Sequence, residues 1–79
     1  MRSAAPSKTY SKEEWLNEGS ALYDLNRYEE ALSAFEQAIH LDPNFAIAYN
    51  GKGHTLNQLN RNKEAQEAFT KVRQLGYGS

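Results

Sequence analysis

The side chains able to do chemistry are few and badly placed for it. His40 and His54 fall on different predicted helices, with no Cys, Asp or Glu cluster at metal-ligand spacing beside either, so neither starts a metal site. Ser20 has no base at a spacing that would activate it. Glu29 and Glu30 are adjacent, so on a helix they diverge by about 100°. They suit the positive end of a helix dipole better than paired acid–base work. No glycine follows a strand or precedes a Lys-Ser/Thr pair, which removes a phosphate loop. These patterns predict no enzyme, no cofactor and no metal. His40 reads as a solvent-facing residue; His54 is either that or a ligand contact.

Composition narrows the classes further. The chain has 79 residues, enough for one small domain with a stability of a few kcal/mol. It has no cysteine, so no disulfide supports it. Nine Lys and Arg stand against ten Asp and Glu, without a block of like charge, which argues against a nucleic-acid or anionic-membrane surface. No apolar run approaches the roughly 20 residues of a bilayer span, and MRSAAPSKTY has no hydrophobic leader segment. A cytoplasmic location is the default expectation, and residues 1–10 read as a flexible arm.

Four helices must position whatever remains. From Ser11 onward apolar residues recur at three and four, the helical period, and no strand pattern competes. The first helix spans about Lys12 to Leu25, opened by the capping-box pair Ser11 and Glu14 and stopped at Asn26, a residue that tolerates the left-handed conformation. The second spans Tyr28 to Leu41 and is ended by Asp42-Pro43. The third follows Asn44 as N-cap and runs to Leu59, stopping at Asn60. The fourth spans Asn62 to Leu75, stopped by Gly76, with Lys71 and Arg73 at the negative end of its dipole. Connections this short make each helix antiparallel to the one before.

The second half repeats the first. Gly19, Leu22, Leu25, Asn26, Arg27, Glu30, Ala31, Ala34, Phe35 and Leu41 recur, 34 residues on, as Gly53, Leu56, Leu59, Asn60, Arg61, Glu64, Ala65, Ala68, Phe69 and Leu75. No insertion or deletion intervenes, which marks a duplicated helical hairpin. Trp15, Gly19 and Leu22 share one helix face; Ala31, Phe35 and Ala38 share a face of the next. A mid-helix glycine costs about 1 kcal/mol relative to alanine. Gly19 opposite Ala31, and Gly53 opposite Ala65, are therefore expected to let two helix backbones approach, with Phe35 and Phe69 filling the hairpins.

These residues resemble the tetratricopeptide repeat (TPR), a 34-residue helix–turn–helix unit. The first repeat, residues 12–45, offers Trp15, Gly19, Leu22, Tyr28, Ala31, Phe35, Ala38 and Pro43. The second, residues 46–79, offers Tyr49, Gly53, Leu56, Ala65, Phe69 and Val72. Glu18 and Lys52 stand where the family prefers Leu, Asn62 replaces the aromatic seen at Tyr28, and the closing Pro is missing from the second repeat. The resemblance implies an all-α fold: antiparallel hairpins stacked as a short right-handed solenoid.

Some positions change character between the repeats. Leu32 and Ile39, expected to pack on Ala48, Thr55 and Leu59 of the next hairpin, become Gln66 and Arg73. Such polar residues are poorly suited to burial against a third hairpin, so the fourth helix reads as a cap. At the other end the outward stripe is Glu14, Glu18, Ala21 and Leu25.

In repeats of this kind the first helix of each pair lines a concave groove that holds a peptide or a partner's helix. The corresponding candidates are Glu13, Leu16, Asn17, Ser20, Tyr23 and Asp24, then Ile47, Asn50, Gly51, His54, Asn57 and Gln58. The competing reading is a plain solvated helix face, but Leu16, Tyr23 and Ile47 are apolar on a side the core does not use. Chaperone-binding members hold a C-terminal carboxylate with Lys and Asn in the first repeat and Asn in the second. Leu16, Ser20 and Gly51 stand at those positions, so no strong binding of acidic C-terminal tails is expected. The expected function is a non-catalytic protein- or peptide-binding module. Two alternatives stand beside it. One is a homodimer formed by hairpin-end stacking or exchange through Leu25, Tyr77 and the arm. The other is an inert fragment of a larger repeat protein.

Overall fold

Ser11 opens the first helix. Its side chain accepts the Glu14 N–H at 3.1 Å, and Glu14 Oε1 accepts the Ser11 N–H at 2.8 Å, a reciprocal capping box. The computed structural model describes residues 9–76 and builds them from four helices: α1 (Lys12–Asp24), α2 (Tyr28–Leu41), α3 (Ala46–Gln58) and α4 (Asn62–Gln74). No strand occurs among the described residues. Residues 1–8 of the expected arm lie outside them, as does Tyr77. Tyr10, assigned to that arm by sequence, instead packs edge-on against Trp15 with ring centroids 4.8 Å apart.

The two hairpin turns are the same device. Asn26 and Asn60 both take φ of 62°, the left-handed conformation that Asn tolerates. Around them the Arg27 N–H donates to the Leu22 carbonyl and the Asn26 N–H to that of Tyr23, both at 2.9 Å. Arg61 and Asn60 donate to Leu56 and Asn57 in the same way, at 2.8 and 3.0 Å. This six-to-one and five-to-two pattern closes the last carbonyls of α1 and α3. Arg27 and Arg61 then stand at the N-caps of α2 and α4 without a capping side chain. Each instead holds a glutamate three residues on through two parallel hydrogen bonds: Arg27–Glu30 at 2.5 and 3.0 Å, Arg61–Glu64 at 2.7 and 3.0 Å. The repeated Asn-Arg and the repeated Glu thus fix one turn twice.

The connection between repeats works differently from the sequence expectation. Asn44 is not the N-cap of α3; Phe45 takes that position and offers no side-chain bond. Asp42 organises the turn instead, accepting the Asn44 N–H at 3.1 Å on its side chain and the Phe45 N–H at 3.0 Å on its carbonyl. Lys12 pairs with the other oxygen of the same carboxylate and lies 4.6 Å from the Phe45 ring centroid, tying the start of α1 to this turn. The Tyr49 hydroxyl donates to the Pro43 carbonyl at 2.9 Å.

Consecutive helices pack in order, and α1 also meets α3. The seam between hairpins contains Leu32 of α2 and Leu56 of α3, with Ala65, Leu59 and Phe69 against them. Burying a leucine of this kind contributes about 1.5–3 kcal/mol. Ala48 and Thr55 are fully buried, and the Thr55 hydroxyl is satisfied by donating to the Gly51 carbonyl at 2.8 Å. Ala31, Ala38 and Ala65 are also fully buried, while Trp15, Leu22, Tyr49, Phe69 and Val72 are half-buried. Gln66 and Arg73, the counterparts of Leu32 and Ile39, are exposed.

Three of the glycines make room for rings. A Cβ on Gly19 would stand 2.8 Å from Phe35 Cδ1, and one on Gly53 would stand 2.7 Å from Phe69 Cε1. Gly51, placed by sequence only in the groove, belongs to the same scheme, since its Cβ would meet Phe35 Cε1 at 2.6 Å. Phe35, 3% exposed, is therefore held between a glycine of its own hairpin and a glycine of the next.

Candidate functional site

Where α1 and α3 run side by side, small residues leave a gap above Phe35. Ser20 and Gly51 present almost no side chain, so the Phe35 ring forms the floor of an open hollow of about 190 Å³. Tyr23 and Asp24 form its α1 rim and His54 its α3 rim. Tyr23 is steadied by an edge-on contact with Tyr28 at 5.3 Å, and the Tyr28 hydroxyl donates to Asn26 Oδ1 at 2.8 Å. Gln58 Nε2 donates to the Tyr23 hydroxyl at 3.5 Å, a long bond that spans the two repeats. The His54 ring stands edge-on to Phe69 at 5.1 Å. Phe69 and Gly53 repeat the ring-on-glycine pairing of Phe35 and Gly19 one hairpin later.

The structure thus gathers Ser20, Tyr23, Asp24, Gly51 and His54 around one hollow, with Gln58 joined to it through Tyr23. Other candidates fall elsewhere. Asn17 lines a separate hollow with Tyr10, Glu14 and Glu18 on the outer side of α1. Ile47 and Asn50 line a third with Ala46 and Val72, and Ile47 is 55% exposed there. Glu13 and Asn57 are exposed and Leu16 is half-buried; none of the three lines these hollows. Sequence reasoning missed Phe35 as a groove residue, because its place in the repeat marks it as core. The absence of a side chain at Gly51, where the first repeat has Asn17, was the available signal.

The hollow has no reacting pair. His54 faces an aromatic ring, Ser20 has no hydrogen-bonded base, and Asp24 forms no ion pair among the described residues. No group of three or more His, Cys, Asp or Glu among the described residues could hold a metal ion. No helix among them is long and apolar enough to cross a membrane. The shifted side chains sit at structural pairs. The Lys12 hydrogen bond, then the Asn44 N–H, holds the Asp42 carboxyl below its ordinary value, and the same Asp42 bond raises Lys12. Arg61 likewise lowers Glu64 through its hydrogen bonds and is raised in return.

Helical hairpins with repeated turn devices, stacked in register and hollowed between their first helices, define a repeat scaffold. The family profile described as TPR repeat matches residues 19–60, and the chain belongs to the tetratricopeptide-repeat family. Repeats of this family generally mediate protein–protein interaction. The chain is 39% identical over 61 residues to Protein O-mannosyl-transferase TMTC3 of Homo sapiens, a match covering 77% of this chain and 7% of that protein. It is 36% identical over 52 residues to Protein STIP1 homolog of Dictyostelium discoideum, covering 66% of this chain and 9% of that protein. The matches therefore span less than a tenth of either relative's length.

Proposed function

We propose that this chain is a non-catalytic binding module that holds an extended peptide segment of a partner protein on the α1–α3 face, anchored in the hollow over Phe35. One observation carries the reading: between α1 and α3 the small residues Ser20 and Gly51 leave an open hollow rimmed by Tyr23, Asp24 and His54. A hollow of about 190 Å³ falls short of the roughly 300 Å³ at which small-molecule pockets begin. It suits one side chain of a peptide whose backbone meets the amides of Asn50, Asn57 and Gln58. The transferase activity named for the human relative belongs to a protein of which the match covers 7%, and the binding reading does not draw on it. Binding of acidic C-terminal tails is not proposed either, since Leu16, Ser20 and Gly51 supply no cation; micromolar affinity for such a tail would contradict this.

The test is a peptide-display selection, repeated against a Ser20→Tyr variant. Ser20 is exposed, so the larger side chain fills the hollow without entering the core. Selected peptides should lose binding to the variant while its helix content stays unchanged. Peptides that bind both proteins equally would overturn the reading.

A second reading rests on Leu25, which is 64% exposed at the end of α1. A second copy stacked on that end would cover it. Sedimentation against concentration, with Leu25→Lys as the variant, distinguishes a dimer through this end from a monomer.

A further inference from the structure

We infer that the hollow selects a basic side chain, arginine above lysine; this rests on the groove reading above and adds its chemical class. The charges already present lead there. Lys12 is paired with Asp42, Arg27 with Glu30, Lys52 with Glu36 and Arg61 with Glu64. Lys71 lies 5.9 Å from the Tyr49 ring centroid, and Arg73 donates to Thr70 at 3.2 Å. No Lys or Arg lines the hollow, and Asp24 is its one carboxylate. Asp24 has no ion pair or hydrogen bond from a side chain among the described residues.

Asp24 also breaks a local rule. It is the last residue of α1, which has no basic residue in its final turn. A carboxylate there faces the negative end of the helix dipole and destabilises the helix. The second repeat has neutral Gln58 at the corresponding place. Residues that contradict their local setting without compensation in the fold are expected at functional sites. A cation arriving from outside would offset both the lone carboxylate and the helix end.

The apolar part of the hollow decides between the two basic residues. Arginine lays its methylene stem along an apolar surface, and its planar guanidinium stacks on an aromatic face while donating two hydrogen bonds to a carboxylate. The half-buried Tyr23 ring and the exposed Asp24 carboxylate supply those contacts around one opening, above the nearly buried Phe35. Glu13 lies eleven residues earlier on nearly the same face of α1, about 16 Å away along the helix. An extended chain covers that distance in about five residues, so a second basic residue about five positions from the first would reach it.

The experiment is an amide-resolved NMR titration with four acetylated octapeptides of alanine and serine that differ at one central residue, Arg, Lys, Leu or Glu; a Lys peptide that binds as tightly as the Arg peptide would overturn the preference for arginine. The Arg peptide should shift the Ser20, Gly51 and His54 amides and bind at least fivefold more tightly than the Glu peptide. Asp24→Asn should remove most of that difference. Asp24 is exposed and its neutralisation favours the helix, so the variant should fold. If the Leu or Glu peptide binds as tightly as the Arg peptide, the charge inference fails and the groove reading stands. If no peptide moves these amides, both fail.

Discussion

Replacing Gly51 with alanine tests how the two repeats are joined. Alanine in a helix interior normally gains about 1 kcal/mol over glycine. Here the new Cβ would stand 2.6 Å from two atoms of the Phe35 ring. The ring has little retreat, because Gly19 also packs against it, where an added Cβ would stand 2.8 Å from its Cδ1, and the residue is 3% exposed. Overpacking of a confined core typically costs about 1–3 kcal/mol. After the propensity gain of about 1 kcal/mol, Gly51→Ala should be destabilising by up to about 2 kcal/mol. In a domain this small each kcal/mol lowers the melting midpoint by about 4–8 °C. Gly53→Ala is the control. Its Cβ would approach Phe69 as closely, at 2.7 Å, but Phe69 is only half-buried and no later helix among the described residues confines it. That ring can swing aside, so Gly53→Ala should fall within about 0.5 kcal/mol of the parent, on the scale of a tolerated surface change. Urea melts followed by circular dichroism read both, and Gly51→Ala combined with Phe35→Leu should recover part of the loss through coupling between contacting residues. The reasoning is refuted if Gly51→Ala shows the full helix-propensity gain of about 1 kcal/mol over the parent, or if Gly53→Ala costs more than Gly51→Ala.

The left-handed turns give a second expectation: Asn60→Ala should cost about 1 kcal/mol in urea melts while Asn60→Gly costs nothing measurable. Polar residues on α4 give a third. Gln66→Leu with Arg73→Ile restores the first repeat's residues at exposed positions and should make sedimentation mass rise with concentration; a strict monomer would show that α4 is not a polar cap. The Lys12–Asp42 pair gives a fourth. Asp42 is lowered from 3.8 and Lys12 raised from 10.5, so the pair's stabilisation is whole between those values. It is lost as pH falls through the lowered carboxyl pKa or rises through the raised ammonium pKa. The urea-midpoint difference between parent and Asp42→Asn should therefore close well below pH 3.8, and a difference that persists undiminished there would show that the carboxylate's charge is not what ties the turn.

Local rules were readable wherever a residue answers to its own stretch of chain. The helical period, the Ser11–Glu14 box and the stops at Asn26, Asn60 and Gly76 depend on near neighbours, and the three stop residues all take positive φ. The third helix's start was misassigned because Asp42 and Asn44 can each cap or turn, and Lys12, 30 positions earlier, pairs with Asp42 at that turn. Sequence shows that Gly19 and Gly53 provide space and that Phe35 and Phe69 fill the hairpins, but not that Gly51 of the next repeat also meets Phe35. In the groove, helical phase places Asn17 beside Glu13 and Ser20, yet Asn17 lines the outer hollow with Tyr10. That packing joins a residue before the first helix to its outer side, where no repeat period operates.

Phe35 also makes stability and recognition inseparable in this scaffold. In a stacked array, total stability is the sum of each unit's own folding energy and a coupling term at every junction. Here one ring supplies part of the only junction among the described residues and also lines the hollow offered to a ligand. A peptide seated on it would bind the joined pair better than either hairpin alone, so its affinity becomes additional coupling between units. Ligand binding should sharpen the unfolding transition as well as raise it, and the two hairpins should cease to open independently.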